Sequence, residues 1–304
     1  MSSPNTQTLQ TSAIAAPAAW RDWLTLTKPE ITFLVTISSL AGFILASSGS
    51  VDGWTLLWAM IGIPLTSAGG CVLNQVMEHS LDAGMKRTAN RPLPAGRIRV
   101  EHAKWYGFGL LAAGLGILCP LTNPLTGVLA AFTVALYLWV YTPLKQKSTW
   151  NTLVGTIPGA LPVLGGWTAA SGNLGAGGWA LFGLLLCWQM PHFFSLAWMY
   201  RKDYGNSAFM MLPSSDERGD RTARQMFGFS LAMILFSILP TALGLSSWVY
   251  LAGALLLGLW FLRPVGRFWY TRSVQDARMV LKASVLYIPL LLGAIILDRL
   301  LIQL

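Results

Sequence analysis

The chain has 304 residues, of which 54% are hydrophobic and only 11% are charged. Soluble domains carry about 25% charged residues, so this composition excludes an ordinary soluble enzyme and indicates a protein that lies mostly in lipid. The net charge of +9 does not predict a nucleic-acid partner, because the long apolar runs leave no continuous basic face. An anionic membrane leaflet and an anionic substrate suit this charge better.

The amino-terminal segment differs from the rest of the chain. Residues 1–20 are polar, rich in Ser, Thr and Ala, and nearly free of charge. They lack the basic start and apolar core of a signal peptide, and they lack the arginines of a mitochondrial transit peptide. We therefore expect a disordered cytosolic tail over 1–27 and a transmembrane domain over 28–304. This tail favours a bacterial source.

The rest of the chain is a series of apolar runs, each long enough to cross a bilayer. A spanning helix needs about 20 mainly apolar residues. The candidate spans are 31–48, 54–73, 103–120, 124–142, 152–170, 178–200, 226–245, 247–263 and 283–301. The sequence thus predicts an all-α integral membrane protein with about nine transmembrane helices.

Lys and Arg alternate between the connections that join these spans. The connections after the second, fourth, sixth and eighth spans are basic, whereas the four others contain neither Lys nor Arg. The positive-inside rule then predicts a cytoplasmic amino terminus and a carboxyl terminus outside, which requires an odd number of spans. Only Arg299 breaks the pattern. We therefore look for function at the cytoplasmic face.

The most informative motif directly follows the second span. Asn74, Glu78 and Asp82 have the spacing i, i+4, i+8, which places three oxygen-bearing side chains on one face of a helix. Carboxylates at a membrane boundary cost free energy unless they are paired or metal-bound, and these oxygen donors suit Mg²⁺. Arg87 and Arg91 follow closely. Guanidinium groups beside a magnesium site are typical of a protein that binds a diphosphate.

Two later stretches supply candidate substrate-binding residues. They are Tyr141, Lys145, Lys147 and Asn151 after the fourth span, and His192 and Asp203 in and after the sixth. Lys145 and Lys147 either contact phosphate or only fix the topology, and charge alone does not decide between these roles. His192 lies within a span, where a histidine is either functional or hydrogen-bonded to a neighbouring helix.

At these residues the chain resembles the UbiA superfamily of membrane prenyltransferases. Asn74, Glu78 and Asp82 match its Asn-x-x-x-Asp-x-x-x-Asp motif, with Glu78 where the pattern usually has Asp. Matches to the haem-prenylating branch are Asp82-x-x-Met85-x-Arg87-Thr88-x-x-Arg91-Pro92-Leu93, Tyr141-Thr142 with Leu144-Lys145, Gly159-Ala160-Leu161-Pro162, Pro191-His192-Phe193, Asp203-Tyr204 and Met211-Leu212-Pro213. The matches run from about Lys28 to Pro213, and the last third resembles the family mainly in hydropathy. The second Asp-rich motif of the superfamily is incomplete here, with Asp203 as the best remaining carboxylate.

The resemblance implies a fold, a reaction and a location. The fold is a UbiA-type helical bundle in the inner membrane of a bacterium. The reaction is transfer of a farnesyl group from farnesyl diphosphate to a vinyl group of haem b, with water added, giving haem O and diphosphate. Mg²⁺ held by Asn74, Glu78 and Asp82 would bind the diphosphate together with basic residues, which makes these three with Arg87 and Arg91 the catalytic set. A downstream haem-modifying enzyme or a terminal oxidase assembly is an implied partner.

Three alternatives stay open. A prenyltransferase for an aromatic quinone precursor or for chlorophyllide would carry the same Asn/Asp ladder, and only the haem-branch motifs separate these acceptors. A transporter would place polar groups near the middle of several helices, whereas here they cluster at one face. A scaffold subunit would give no reason for carboxylates beside arginines.

Overall fold

The computed structural model describes residues 18–47 and 49–302, and within these ranges every regular element is a helix. The elements are α1 (Trp20–Leu26), α2 (Pro29–Ala46), α3 (Gly53–Ala83), α4 (Val100–Leu121), α5 (Pro124–Ala135), a π-helical turn (Leu136–Tyr141), α6 (Thr142–Leu144), α7 (Asn151–Ser171), α8 (Ala176–Met199), α9 (Arg201–Gly205), α10 (Leu212–Ser215), α11 (Asp220–Ala242), α12 (Trp248–Thr271) and α13 (Val274–Ile302).

In the described part of the chain, nine helical segments are long and apolar enough to cross a membrane. Eight are α2, α3, α4, α7, α8, α11, α12 and α13, and the ninth runs from α5 through the π-helical turn and α6 as Pro124–Leu144. The predicted nine spans are confirmed, and the protein is an all-α, multi-pass membrane protein.

Several helices extend beyond the apolar runs from which they were predicted. α3 continues from the predicted end at 73 to Ala83, so the whole carboxylate motif is helical. α12 and α13 are joined only by Arg272 and Ser273, so the longer connection predicted after residue 263 is wrong. Hydropathy ends a span at its first charged residues, whereas long basic side chains reach water while their helix continues.

The predicted disordered tail is also wrong in part. Residues 20–26 form α1, and the rest of that tail from 1 to 17 lies outside the described residues. Asp22 of α1 forms an ion pair with Arg97, with 2.9 Å between Oδ1 and Nε, and the ring of Trp23 packs edge-on against that of Tyr106 with centroids 5.2 Å apart. These contacts attach α1 to the connection between α3 and α4. The bond from Arg97 lowers the pKa of Asp22.

Ion pairs join the basic connections at one end of the bundle, which we call the basic end. Among the described residues, the pairs that cross between elements there are Arg97–Asp22, Lys145–Glu78, Arg267–Asp276 and Arg272–Asp220. At the opposite end, Arg299 donates to the carbonyl of Ser47. The connections that are rich in Lys and Arg therefore lie together, as the alternation of charge along the chain requires.

The bundle is closely packed where α2 crosses α7. A Cβ on Gly166 would lie 1.8 Å from the carbonyl oxygen of Ser39, and a Cβ on Gly42 would lie 2.0 Å from that of Val163. The hydroxyl of Ser39 donates to the carbonyl of Pro162 at 2.9 Å across the same interface. Small residues and interhelical hydrogen bonds are how helices associate in lipid. This crossing fixes two walls of the cavity described next.

Candidate functional site

A cavity of about 420 Å³ lies inside the bundle, between α2, α3, the α5–α6 span, α7 and α8. Its volume is within the range of about 300–1,000 Å³ that is usual for small-molecule sites. Its charged lining residues are Lys28, Glu78, Asp82, Arg87, Arg91 and Lys145. Its apolar lining includes Leu34, Val35, Ile63, Leu129, Val134 and Leu161. The cavity therefore has a charged mouth at the basic end and an apolar interior.

The length of the cavity follows from α3, which lines it at two levels. Glu78 contributes to the charged mouth and Ile63 to the apolar interior. At 1.5 Å per residue these two positions are roughly 22 Å apart along the helix. A cavity of this length, with a charged mouth and an apolar interior, suits an extended chain better than a single small ring.

Two carboxylates of the predicted ladder are held by basic side chains at the mouth. Lys145 Nζ lies 2.7 and 3.0 Å from the two oxygens of Glu78, and Arg91 donates to Asp82 Oδ2 at 2.6 Å. Glu78 and Asp82 are 4% and 2% exposed, so the carboxylates are almost fully buried. Burying a carboxylate is costly unless it is paired, and these two are.

Asn74 is the exception in the ladder, because it does not line the cavity. Its Oδ1 accepts from Lys28 Nζ at 3.1 Å, and its Nδ2 donates to Thr142 Oγ1 at 2.9 Å. Asn74 therefore lies behind the wall and holds Lys28 at the mouth. Lys28 itself has a left-handed backbone with φ of 49°, and burial lowers the pKa of its ammonium group.

The oxygen donors at the mouth fit Mg²⁺. Asp82 Oδ1 has no hydrogen-bond partner among the described residues and is accessible from the cavity, so it remains available to bind a metal ion. In the described ranges no three acidic, His or Cys side chains converge as a preformed metal site. Mg²⁺ is commonly bound by one or two carboxylates and completes its shell with phosphate and water, so Glu78 and Asp82 suffice.

Arg87 is at the mouth together with Arg91, on the segment that follows α3. Its guanidinium donates to the hydroxyl of Tyr204 at 3.1 Å and lies 5.8 Å from that ring. The hydroxyl of Thr88 donates to the carbonyl of Asp82 at 2.8 Å and folds this segment back over the end of α3. Both predicted arginines therefore face the cavity with their carboxylate neighbours.

Lys145 is surrounded by aromatic rings as well as by Glu78. Its Nζ lies 4.7 Å from the centre of the Tyr141 ring and 5.7 Å from that of Phe209. Burial by itself would lower the pKa of Lys145, but Tyr141 and Glu78 outweigh it and raise the pKa overall. The π-helical turn ends at Tyr141, and such turns often occur at functional sites.

The structure separates the other predicted residues. Asn151 lines the cavity, but its amide donates to the carbonyls of Ser148 and Met210 at 2.6 and 2.5 Å, so it holds the wall in place. Lys147 is exposed and does not line the cavity. Asp203 lies beside the mouth, where its Oδ1 accepts a long 3.4 Å bond from the backbone of Lys86. Its Oδ2 is buried without a hydrogen-bond partner among the described residues, which is unusual for a carboxylate oxygen.

His192 lines the cavity from α8. Its Nδ1 lies 2.8 Å from the hydroxyl oxygen of Ser284 on α13, and its ring stacks on Trp188 with centroids 5.2 Å apart. Both alternatives for this residue thus apply in part: one nitrogen is bonded to a neighbouring helix, and the residue still faces the cavity.

Sequence reasoning assigned no role to three residues at the mouth: Lys28, Tyr204 and Phe209. A lysine immediately before the first span also fits the positive-inside rule, so its presence there does not by itself predict a binding role. The position of Lys28 was readable from the sequence, because it directly precedes Pro29 and so lies at the start of the helix. Tyr204 and Phe209 come from a segment between α8 and α11 whose path over the mouth no local pattern predicts.

The comparisons with known proteins agree with this geometry. The family model described as "UbiA prenyltransferase family" matches residues 35–286. A protoheme IX farnesyltransferase of Salinibacter ruber is 54% identical over 91% of this chain and 98% of its own, and one of Solibacter usitatus is 43% identical over 92% and 99%. A UbiA homologue from Archaeoglobus fulgidus, solved with DMAPP and Mg²⁺, superposes with a TM-score of 0.70 at 13% identity, over 91% of this chain and 99% of its own.

Proposed function

The chain belongs to the UbiA prenyltransferase family, as the sequence motifs predicted, and we propose that it transfers a farnesyl group from farnesyl diphosphate to a vinyl group of haem b. With water added, the products are haem O and diphosphate. Relatives that are named protoheme IX farnesyltransferases and align over nearly their whole length support this acceptor. The protein is a transferase, and it acts as a multi-pass protein of a bacterial inner membrane.

The observation that carries the proposal is the cavity that combines a charged mouth with an apolar interior. Four cations face two carboxylates at the mouth, an excess of positive charge that suits a diphosphate. The apolar side chains of the interior, such as Leu34, Leu129 and Leu161, offer the prenyl chain a path away from water. A prenyl diphosphate has this division between an anionic head and an apolar tail.

We propose that Glu78 and Asp82 hold Mg²⁺ at the mouth, with Asn74 acting from behind through Lys28. When bound, the metal ion supplies charge neutralisation for the diphosphate oxygens. The A. fulgidus homologue with Mg²⁺ supports divalent metal use in this fold. Asp203 does not line the cavity and its Oδ2 is closed off from it, so Glu78 and Asp82 are the carboxylates that we assign to the metal ion.

The basic side chains stabilise the leaving group. Lys145 and Arg91 are bonded to carboxylates in this structure, and the diphosphate would compete for them. Arg87 and Lys28 have no acidic partner in the described ranges and can contact phosphate directly. Preorganised charges of this kind lower the barrier to ionisation of the allylic C–O bond.

The rings around Lys145 protect the allylic cation that ionisation leaves. Tyr141 stacks on Tyr137 with centroids 5.5 Å apart, and both rings line the cavity together with Phe209. Aromatic faces attract cations and exclude water. The electron-rich vinyl group of haem b then captures the allylic cation, and water adds to the carbocation that results and loses a proton to give the hydroxyl group of haem O. His192 is placed to contact the porphyrin from the α8 side.

The acceptor is tested with purified protein in detergent, Mg²⁺ and farnesyl diphosphate. One arm contains haem b, and the other contains an aromatic acid of the quinone-precursor type. We expect a mass gain on haem b of one farnesyl group plus one hydroxyl group, and no prenylated aromatic acid. Prenylation of the aromatic acid alone would contradict the proposal. If the transfer supports respiration, a downstream haem-modifying enzyme or terminal oxidase assembly consumes haem O.

A further inference from the structure

The contact between His192 and Ser284 can be assigned a direction from the other hydrogen bond that the serine makes. The hydroxyl of Ser284 donates its single proton to the carbonyl of Leu281, at 2.7 Å. A serine hydroxyl has one proton and two acceptor lone pairs. With its proton used in that bond, the serine oxygen can only accept in the 2.8 Å contact with His192 Nδ1, so we assign the proton of this contact to the imidazole. A neutral imidazole with its proton on Nδ1 carries a free lone pair on Nε2.

The same residue of α13 also fixes the ring that lies against the imidazole. Trp188 Nε1 donates to the backbone carbonyl of Ser284 at 2.9 Å. Trp188 and His192 stack at an interplanar angle of 29°. Two side chains of α8 are thus attached to one residue, which restricts the imidazole in both position and rotation.

The second imidazole nitrogen is left for the cavity. Nε2 has no hydrogen-bond partner in the described ranges and is accessible to a small probe, and His192 lines the cavity. Ser284 is fully buried and does not line the cavity, so it can act only through its partner.

We propose that Ser284 is a positioning residue that holds His192 with its Nε2 lone pair directed at the cavity, as an axial ligand for the iron of haem b. The inference rests on the proposed function and adds a means of selecting the acceptor. A metal-ligating histidine commonly donates its other N–H to an oxygen that fixes its orientation. An iron-free porphyrin gains nothing from this ligand.

The binding of two porphyrins tests the proposal. Purified wild type and Ser284→Ala are titrated with haem b and with iron-free protoporphyrin IX, and the haem spectrum reports imidazole ligation. We expect the wild type to show an imidazole-ligated spectrum. We expect Ser284→Ala to bind haem b about tenfold more weakly, as is usual when an outer partner of a metal ligand is lost. Affinity for protoporphyrin IX and the KM for farnesyl diphosphate should not change.

Three further variants separate positioning from packing. Ser230 is equally buried and its hydroxyl donates to the carbonyl of Met226 at 2.6 Å, but no other side chain in the described ranges hydrogen-bonds to it. Ser230→Ala should therefore keep wild-type haem affinity, and Ser284→Thr, which keeps the accepting oxygen, should retain the ligated spectrum. Equal weakening of both porphyrins in Ser284→Ala, or an imidazole-ligated spectrum in His192→Ala, would overturn the inference. Wild type that makes no haem O would instead refute the proposed function.

Discussion

The pair of Glu78 and Lys145 allows stability and catalysis to be separated. Both side chains are buried, with 5% and 17% of their surfaces exposed, and they are joined by two short bonds. Glu78→Gln leaves a buried ammonium group without its counter-charge, and Lys145→Gln leaves a buried carboxylate. Breaking a buried pair from one side costs about 3–5 kcal/mol. We expect each single variant to lose roughly this much free energy of unfolding.

The double variant Glu78→Gln/Lys145→Gln should behave differently in the two assays. Two amides can hydrogen-bond to each other without a buried charge, so the free energy of unfolding should return to within about 1 kcal/mol of wild type. Prenyl transfer should remain lost, because the mouth then lacks both a metal-binding carboxylate and a phosphate-binding cation. Unfolding is followed by tryptophan fluorescence in detergent, and transfer by mass spectrometry of the haem.

The control for this cycle is the exposed pair of Glu101 and Lys104, separated by 3.8 Å with 60% and 45% of the side chains exposed. Exposed pairs contribute about 0–1 kcal/mol, so Glu101→Gln/Lys104→Gln should change neither stability nor activity. An active Glu78→Gln/Lys145→Gln variant would show that the buried pair is structural only. Single variants as stable as wild type would refute the electrostatic reasoning itself.

Three further predictions concern the mouth of the cavity. Asp82→Asn should lower the rate of transfer about 100-fold and should not be rescued by excess Mg²⁺, so a near-normal rate would exclude its metal role. Gly155→Ala places a Cβ 2.4 Å from the Tyr141 ring and should reduce the rate of transfer by up to about 100-fold, because it displaces that ring. Gly253→Ala is the control: its Cβ would have no described atom within 4 Å, so the rate should not change. Burial lowers the pKa of Lys28, so this ammonium group loses its proton at a lower pH than an ordinary lysine does, and the KM for farnesyl diphosphate should rise in alkaline solution. Lys28→Arg should shift that rise to higher pH, because a guanidinium group stays charged. A pH profile of KM that is unchanged in Lys28→Arg would exclude contact between Lys28 and the diphosphate.

The membrane fold was predictable because its signals are local. Apolar runs identify the spans, and the alternation of basic connections brings the charged segments to one end. The i, i+4, i+8 spacing placed Glu78 and Asp82 correctly, because α3 continues without a break through both. Hydropathy could not show this continuation, since it ends a span where charge begins.

The rest of the site depends on contacts between distant segments. Glu78 and Lys145 meet through the crossing of two spans, and Arg87 meets Tyr204 through a connection from the other half of the bundle. No local pattern contains these distances. For the same reason the sequence did not predict the bond between the amide of Asn151 and the carbonyl of Met210.

The proposed reaction is tested most directly by the formation of haem O by the purified protein from haem b and farnesyl diphosphate, with Mg²⁺ and then with a divalent-cation chelator. We expect haem O and diphosphate in equal amounts with Mg²⁺, loss of both with the chelator, and recovery when Mg²⁺ is restored. Haem O formed at an undiminished rate under chelation would contradict the magnesium site at Glu78 and Asp82. Absence of haem O under every condition would contradict the proposed reaction.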